Sequence, residues 1–167
     1  MEREKIKRLE LIKLRSIGNY QFGKPIGDYL FSPHISVVHS KRTGRIRLIY
    51  EDDNLIATLR PTNGLLALTI HGAKIILKRT KPPRLRVQVE NSIADFIRKG
   101  RNVFAKHIIK SDLNIHPNDE VIVVDQKDEL LGVGKAVLSG EEMIAFKNGV
   151  AVKIRKGIKE NEKDQPS

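Results

Sequence analysis

Two adjacent prolines near the middle of the chain, Pro82-Pro83, constrain its fold more than any other feature of the sequence. Proline has no backbone N–H and forces the preceding residue into an extended conformation, so neither a helix nor a central strand continues through this segment. Four polar residues, Lys78 to Lys81, precede the prolines. We therefore expect one domain at residues 1–79, a second at 84–157 and a flexible tail at 158–167.

Positive charge is concentrated before this boundary. The 167 residues include 31 Lys and Arg against 20 Asp and Glu, which gives a formal net charge of +11. Residues 1–83 carry sixteen of these cations and seven acids, whereas residues 84–157 carry thirteen and ten. Such a surplus favours a polyanionic partner, most commonly nucleic acid, although a solvated lysine-rich surface is an alternative.

The composition excludes several classes of function. Because the chain has no cysteine, it has no disulfide framework, thiolate zinc site, iron–sulfur cluster or cysteine nucleophile. No apolar run approaches the roughly 20 residues that a membrane span needs, and the charged N-terminus lacks the apolar region of a secretory signal. We expect a soluble, cytoplasmic protein with no membrane partner.

Hydrophobic patterning predicts an α+β first domain with an α/β-sandwich-like arrangement. Residues 2–16 have helical spacing, with Gly18-Asn19 as a plausible end of the helix and a packed loop or short helical piece at residues 20–27. Period-two patterns bounded by turns predict five strands. These strands are expected at residues 34–40, 45–50, 55–60, 65–70 and 73–77.

The second domain is predicted to be a small β-barrel. Its strand patterns lie at residues 85–90, 103–109, 120–124, 130–138 and 150–155. A short helix at 93–99 ends at Gly100, which suits a left-handed C-cap, and residues 141–146 form at most one helical turn. Short strands separated by turns are typical of small barrels.

No catalytic or metal-binding pattern stands out. The five histidines are scattered over different elements, without the spacing of metal ligands. The segment Gly132-Val133-Gly134-Lys135-Ala136 superficially resembles a phosphate loop, but Glu129 and Ala136 stand where the motif requires Gly and Ser or Thr. These glycines more simply relieve crowding at a bend of the barrel. We expect a binding module with no catalytic residue, metal or cofactor.

One segment is the main candidate for binding RNA. Around Gly100, the backbone can approach a ligand closely, and the flanking cations suit phosphates while amide groups suit sugar or base edges. The alternative is a routine glycine cap with cations favoured by the helix dipole. The candidates are Arg98, Lys99, Gly100, Arg101, Asn102, Phe104 and Lys106.

Two further groups of cations extend the candidate surface. Lys153 and Arg155 are two residues apart, hence on one face of the closing strand. In the first domain, one hairpin is crowded by Lys41, Arg42, Arg45 and Arg47, a pattern that suits phosphate contacts. Of these, Arg42, Arg45 and Arg47 are the candidate contacts. Protection of an exposed strand edge by charge explains the hairpin nearly as well.

The second domain resembles the PUA domain, an RNA-binding fold found in pseudouridine synthases and archaeosine transglycosylases. The resemblance covers Leu85 to Gly157 and depends on an ordered set of motifs. They are Val103-Phe104-Ala105-Lys106, the segment Pro117 to Asp125, Leu131-Gly132-Val133-Gly134-Lys135-Ala136, Ser139-Gly140-Glu141-Glu142-Met143 and Gly149 to Arg155.

The first domain resembles the one that precedes PUA in archaeal tRNA-guanine transglycosylases. The matching pieces are Tyr20-Gln21-Phe22-Gly23, Leu30-Phe31, Thr43-Gly44-Arg45-Ile46-Arg47, Leu55 to Arg60 and Gly64 to Thr69. Pro25-Ile26 departs from the small residues of that family. The catalytic aspartates and the cysteine-rich zinc site of the family have no counterpart in this sequence, which therefore looks like the detached C-terminal half of such an enzyme.

This resemblance implies a function in tRNA modification. In the family these domains hold the tRNA, so the Gly100 turn, Phe104, Lys106, Lys153 and Arg155 would meet the acceptor stem and 3′ end. We expect a noncatalytic tRNA-binding subunit of a split archaeal transglycosylase, or an accessory in archaeosine synthesis, with a separately encoded catalytic partner. The alternatives are an RNA-binding adaptor in ribosome biogenesis or translation and, more weakly, an enzyme that acts alone.

Overall fold

The chain separates between Arg79 and Thr80 into two units, each with its own set of buried apolar residues. The structure is a computed structural model and describes residues 2–160. No helix within that range is long and apolar enough to cross a membrane. Each unit is described by itself below.

The first unit combines an antiparallel sheet with three helices. Its five strands pair in the order β1-β2-β3-β4-β5, the same as their order along the chain. The helices pack against one another and against β4 and β5. The elements are β1 (Glu4–Lys5), α1 (Arg8–Phe22), α2 (Ile26–Leu30), β2 (Ser36–His39), β3 (Ile46–Glu51), β4 (Asn54–Leu59), β5 (Leu66–Leu68) and α3 (Ile70–Arg79).

Helix α1 lies later in the chain than the predicted helix at 2–16. It begins at Arg8 and continues through Gly18-Asn19, the predicted end, to Phe22. A Cβ at Gly18 would lie 2.7 Å from the Gly27 Cα, and the Gly27 N–H donates a 2.7 Å hydrogen bond to Asn19 Oδ1. Gly18 therefore allows α1 and α2 to approach each other and does not end the helix.

The strand predicted at residues 73–77 is wrong, because this segment lies within α3. The Thr69 hydroxyl accepts a 3.2 Å hydrogen bond from the Gly72 N–H in the first turn, which is the usual role of Thr at a helix start. Ala73 and Ile76 are both buried, and their three-residue spacing places them on one face of the helix. A short apolar run is compatible with the periodicity of a helix and with that of a strand. Here the segment is helical, and its apolar face packs into the core.

The second unit contains a six-stranded sheet and two short helices. The strand order is β7-β11-β10-β9-β6-β8, and only the pairing of β6 with β9 is parallel among the described strands. The elements are β6 (Arg86–Val89), α4 (Ala94–Arg98), β7 (Val103–Phe104), β8 (Ile108–Ser111), β9 (Glu120–Val124), β10 (Leu130–Ala136), α5 (Gly140–Ala145) and β11 (Val150–Gly157).

The two ends of this sheet come from neighbouring pieces of chain. Strands β7 and β8 occupy opposite ends of the strand order but are separated only by the 3₁₀ turn Ala105–His107. This turn interrupts the single strand predicted at 103–109 and brings the sheet nearly to closure. Val87, Val123 and Leu131 are buried inside it. The predicted α+β class with a small pseudobarrel is confirmed.

Hydrogen bonds continue beyond residue 157, where the flexible tail was predicted to follow. The Ile158 N–H donates to the Leu131 carbonyl at 2.9 Å, and the Lys159 N–H donates to the Arg98 carbonyl at 2.8 Å. Residues 158–160 are thus anchored to β10 and to the end of α4. The rest of the predicted tail, 161–167, lies outside the described residues.

Candidate nucleic-acid interface

The turn after α4 has the left-handed cap that the sequence predicts. Gly100 has a φ of +95°, a conformation that costs little only for glycine. Its N–H donates to the Ile97 carbonyl at 2.9 Å, and the Arg101 N–H donates to the Phe96 carbonyl at 3.0 Å. These bonds satisfy the last carbonyls of the helix and fix where the chain leaves it.

The open side of this turn is covered by residues 157–160. A Cβ added at Gly100 would overlap the Glu160 carboxylate, whose Oε1 accepts a 3.0 Å hydrogen bond from the Gly157 N–H. The Lys156 ammonium donates to the Glu160 carbonyl at 3.0 Å. The sequence predicts that a ligand approaches the backbone closely at Gly100. In the structure, the Glu160 carboxylate occupies that space.

Two of the candidate cations beside Gly100 are engaged in ion pairs. Lys99 lies 3.1 Å from Asp95, and Arg98 lies 3.9 Å from Asp95 and 3.8 Å from Asp125. Lys159, which the sequence analysis did not select, also lies 3.1 Å from Asp95. Hydrogen bonds from Lys159 and Lys99 lower the pKa of Asp95, so this carboxylate stays ionised and holds these cations.

Two other candidates have structural contacts. The Asn102 Oδ1 accepts a 3.0 Å hydrogen bond from the Ile154 N–H, which joins the turn to β11. Arg155 forms two 2.7 Å hydrogen bonds with the carboxylate of Glu120, a side chain that is fully buried. Neither contact is visible from the sequence, because each joins residues more than thirty positions apart.

The remaining candidates are exposed on the outer face of the barrel. Arg101, Lys106 and Lys153 form no ion pair with any residue between 2 and 160, and the Phe104 side chain is 46% exposed. The pairing of β7 with β11 sets Val103 opposite Val152, both buried. Since side chains alternate along a strand, the next residues, Phe104 and Lys153, both point outward. We call Arg101, Phe104, Lys106 and Lys153 the outer-face set.

Lys135 is a cation that the sequence analysis did not assign to the site. It lies directly opposite Lys153 in the pairing of β10 with β11. Side chains at paired positions leave the sheet on the same face, and like charges at directly opposite positions are unfavourable unless an anion neutralises them. In the sequence, Lys135 belongs to the rejected phosphate-loop pattern and to the PUA motif Leu131 to Ala136, and neither pattern shows that it lies opposite Lys153.

In the first unit, the predicted hairpin arginines meet cations from two other elements. Arg42, Arg45 and Arg47 line a groove of about 770 Å³ together with Lys13 of α1 and Arg60 from the end of β4. Among residues 2–160, Glu10 is the only acid that lines it. Sequence analysis missed Lys13 and Arg60, because nothing local shows that residues 13, 45 and 60 converge.

Among residues 2–160, no group of three or more His, Asp or Glu side chains has the geometry to hold a metal ion. The polar side chains described above are cations, their ion-pair partners and amides. Such groups bind anions and hydrogen-bond to sugars and bases.

Two families cover most of this two-unit chain. Residues 85–158 match the PUA domain, and residues 13–83 match the patch-forming domain C2 of tRNA-guanine transglycosylase. The second unit therefore matches a PUA domain, and the first matches the C2 domain that precedes it.

More specifically, the chain is similar to archaeal tRNA-guanine(15) transglycosylases. It is 47% identical over 148 residues to that of Methanothermobacter thermautotrophicus and 42% identical over 158 residues to that of Thermoplasma volcanium. These matches cover 89% and 94% of this chain but 23% and 25% of the relatives. The predicted resemblance is confirmed, and the chain spans about a quarter of the relatives' length, not half of it.

Solved structures share the two-unit fold. A hypothetical protein from Pyrococcus horikoshii matches with a TM-score of 0.77 at 21% identity. A conserved PUA domain protein from Thermoplasma acidophilum matches with a TM-score of 0.69 at 19% identity. Each match covers 96% of this chain and 96% of the other.

Proposed function

We propose that the protein binds tRNA as the noncatalytic subunit of a split archaeal tRNA-guanine transglycosylase, or as a related accessory in archaeosine modification. The similarity to tRNA-guanine(15) transglycosylases over 89% of the chain supports the choice of tRNA. In this proposal the catalytic chemistry comes from a separately encoded chain.

The observation that carries the RNA-binding part is the outer-face set. Its cations are exposed and form no ion pair with any residue in the range 2–160. They can therefore bind phosphates without first breaking an ion pair within the protein. Phe104 adds an exposed ring on which an unpaired base stacks. Phosphate contacts combined with a stacking platform suit the junction of a duplex stem with a single-stranded end, which in tRNA is the acceptor stem and its 3′ terminus.

The structure modifies the list of proposed contacts. We keep Arg101, Phe104, Lys106 and Lys153 as primary contacts. Arg98, Lys99 and Asn102 are engaged around the turn, and Arg155 is engaged by the buried Glu120. Gly100 shapes the turn and is covered by Glu160. In this proposal the first unit contacts the tRNA body, the catalytic partner, or both.

Reconstitution tests this function. The protein is co-expressed with a candidate catalytic transglycosylase chain, and guanine exchange into tRNA is measured with and without it. We expect a complex and an exchange rate that rises when this chain is present. Unchanged exchange and no complex would contradict the split-enzyme proposal.

A second candidate is an RNA-binding adaptor that acts without a transglycosylase. The observation in its favour is that the matched two-unit fold accounts for 96% of each of two solved chains. In those chains the fold is therefore not attached to a larger enzyme. Crosslinking in cells followed by sequencing of the bound RNA separates the two. The adaptor predicts ribosomal RNA, whereas the transglycosylase subunit predicts tRNA acceptor ends.

A further inference from the structure

The groove of the first unit has walls from three separate elements. Helix α1 lines one side, and the loops of two hairpins, 40–47 and 59–64, line the other. The rim is cationic, with Lys13, Arg42, Arg45, Arg47 and Arg60. The accessible aliphatic lining consists of the half-buried Ile17 and Leu59 and the exposed Pro61, whereas Leu14 and Ile46 are buried beneath it.

The two hairpin loops share one backbone conformation, with the same hydrogen bond and the same glycine φ. The Gly44 N–H donates to the Ser40 carbonyl at 2.8 Å, and the Gly64 N–H donates to the Arg60 carbonyl at 2.9 Å. Both glycines have a positive φ, +69° and +70°. A loop backbone held in this way loses less conformational freedom on binding, which favours affinity.

Four cations of the groove have no counter-charge among the described residues. Lys13, Arg42, Arg45 and Arg47 form no ion pair with any residue of the described range 2–160. The single acid, Glu10, is engaged elsewhere, since its carboxylate lies 2.6 Å from the His39 ring and accepts the Lys7 N–H at 3.2 Å. A cluster of cations without counter-charges favours a polyanion.

We propose that this groove binds a single-stranded segment of RNA, with its phosphates on the cationic rim and its unpaired bases against the aliphatic lining. This inference depends on the proposed RNA-binding function and specifies the form of RNA that the first unit takes. Arginine guanidinium groups serve both purposes, because they pair with phosphates and stack on base faces.

An RNA duplex fits the groove less well. A duplex presents its phosphates on a convex surface with its bases stacked inside, so it reaches the rim and leaves the aliphatic lining in water. A single strand brings flexible, exposed bases that fill a concave apolar surface. The Ser40 and Thr43 hydroxyl oxygens accept hydrogen bonds from the Thr43 and Arg45 N–H groups. Their O–H groups remain as donors to an RNA strand.

The test compares the binding of an unstructured oligoribonucleotide with that of a blunt RNA duplex carrying the same number of phosphates. The full chain is used, both wild type and with Arg45→Ala and Arg47→Ala together. Lys41→Ala is the matched control, since Lys41 is an exposed cation of the same hairpin that does not line the groove. Circular dichroism verifies that each variant is folded.

We expect the double variant to lose about ten-fold in affinity for the single strand, and Lys41→Ala to lose less than about two-fold. Loss of duplex affinity alone, or equal losses in the double variant and the control, would overturn the inference while leaving tRNA binding intact. Polyglutamate competing as well as RNA would assign the groove to an acidic protein and also overturn it. Failure of the wild-type protein to bind any RNA would instead overturn the proposed function.

Discussion

The Arg155 guanidinium forms two parallel 2.7 Å hydrogen bonds with the buried carboxylate of Glu120, and so joins β11 to β9 across the intervening strand β10. Such a bidentate pair is among the stronger polar interactions in proteins. It gives Arg155 a structural role in the barrel, although the sequence places it beside Lys153 as a contact for RNA.

Arg155→Ala should destabilise the fold and affect RNA binding little. The variant leaves the Glu120 carboxylate buried without its bidentate partner, which costs about 2–3 kcal/mol. Urea unfolding monitored by circular dichroism measures this cost. A variant of native stability with strongly reduced RNA affinity would return Arg155 to the list of contacts.

Arg101→Ala and Lys106→Ala should show the opposite pattern, with unchanged stability and weaker RNA binding. Each removes one phosphate contact, so the slope of log affinity against log salt should fall by roughly 0.7–0.9. Titrations of tRNA at several salt concentrations measure the slope. Lys110→Ala, an exposed cation on β8, is the control, and an equal slope change in that variant would contradict a localised interface.

Gly100→Val should destabilise the second unit by about 1–3 kcal/mol, because a branched residue at a φ of +95° is strained. Its Cβ also meets the Glu160 carboxylate, the end of a flexible side chain that can move aside. The cost should therefore persist in a Glu160→Ala background, as measured by thermal unfolding. Its disappearance in that background would mean that the overlap, and not backbone strain, causes it.

Glu10 should make stability depend on pH. Burial raises the pKa of Glu10, but hydrogen bonds from His39 and the Lys7 N–H outweigh burial, and the pKa is lowered overall. A carboxylate with a lowered pKa stabilises the fold above its ordinary pKa, and this contribution is lost as pH falls through the folded value. Glu10→Gln should thus be less stable than wild type at neutral pH, by at most about 1 kcal/mol.

The difference between Glu10→Gln and wild type should shrink to nothing well below pH 4.5, the ordinary pKa of the group. Urea midpoints measured across this range check the sign. A difference that grows as the pH falls would contradict the stabilising role of the ionised carboxylate.

Local signals predicted the second unit better than the first. The strand Glu120–Val124 is a run of five buried residues. The apolar residues Val121 to Val124 show this directly, whereas the burial of Glu120 depends on its pairing with Arg155. Gly100 marks the end of α4, because only glycine takes its conformation cheaply. In contrast, Gly18 and the segment 73–77 were misinterpreted, since the contact with Gly27 and the packing of α3 depend on partners distant in the sequence.

The sequence predicts the candidate contacts from their residue types, but it does not show which of them form ion pairs within the protein. Exposed cations such as Arg101 and Lys106 are found from the sequence alone, whereas the engagement of Arg155 by Glu120 needs the fold. The same holds for the groove, where Lys13 and Arg60 come from elements that hydrophobic patterning does not bring together. Sequence therefore shows that cations are abundant, and the structure shows which of them are unpaired within residues 2–160.

The central claim is that the protein binds tRNA through the outer-face set at the acceptor end. Its most direct test is the affinity for an intact tRNA and for the same tRNA lacking its unpaired 3′ nucleotides, each with wild type and Phe104→Ala. We predict that wild type loses affinity when the 3′ nucleotides are removed and that Phe104→Ala is insensitive to their removal. Equal affinity of the wild-type protein for the two tRNAs would contradict the claim.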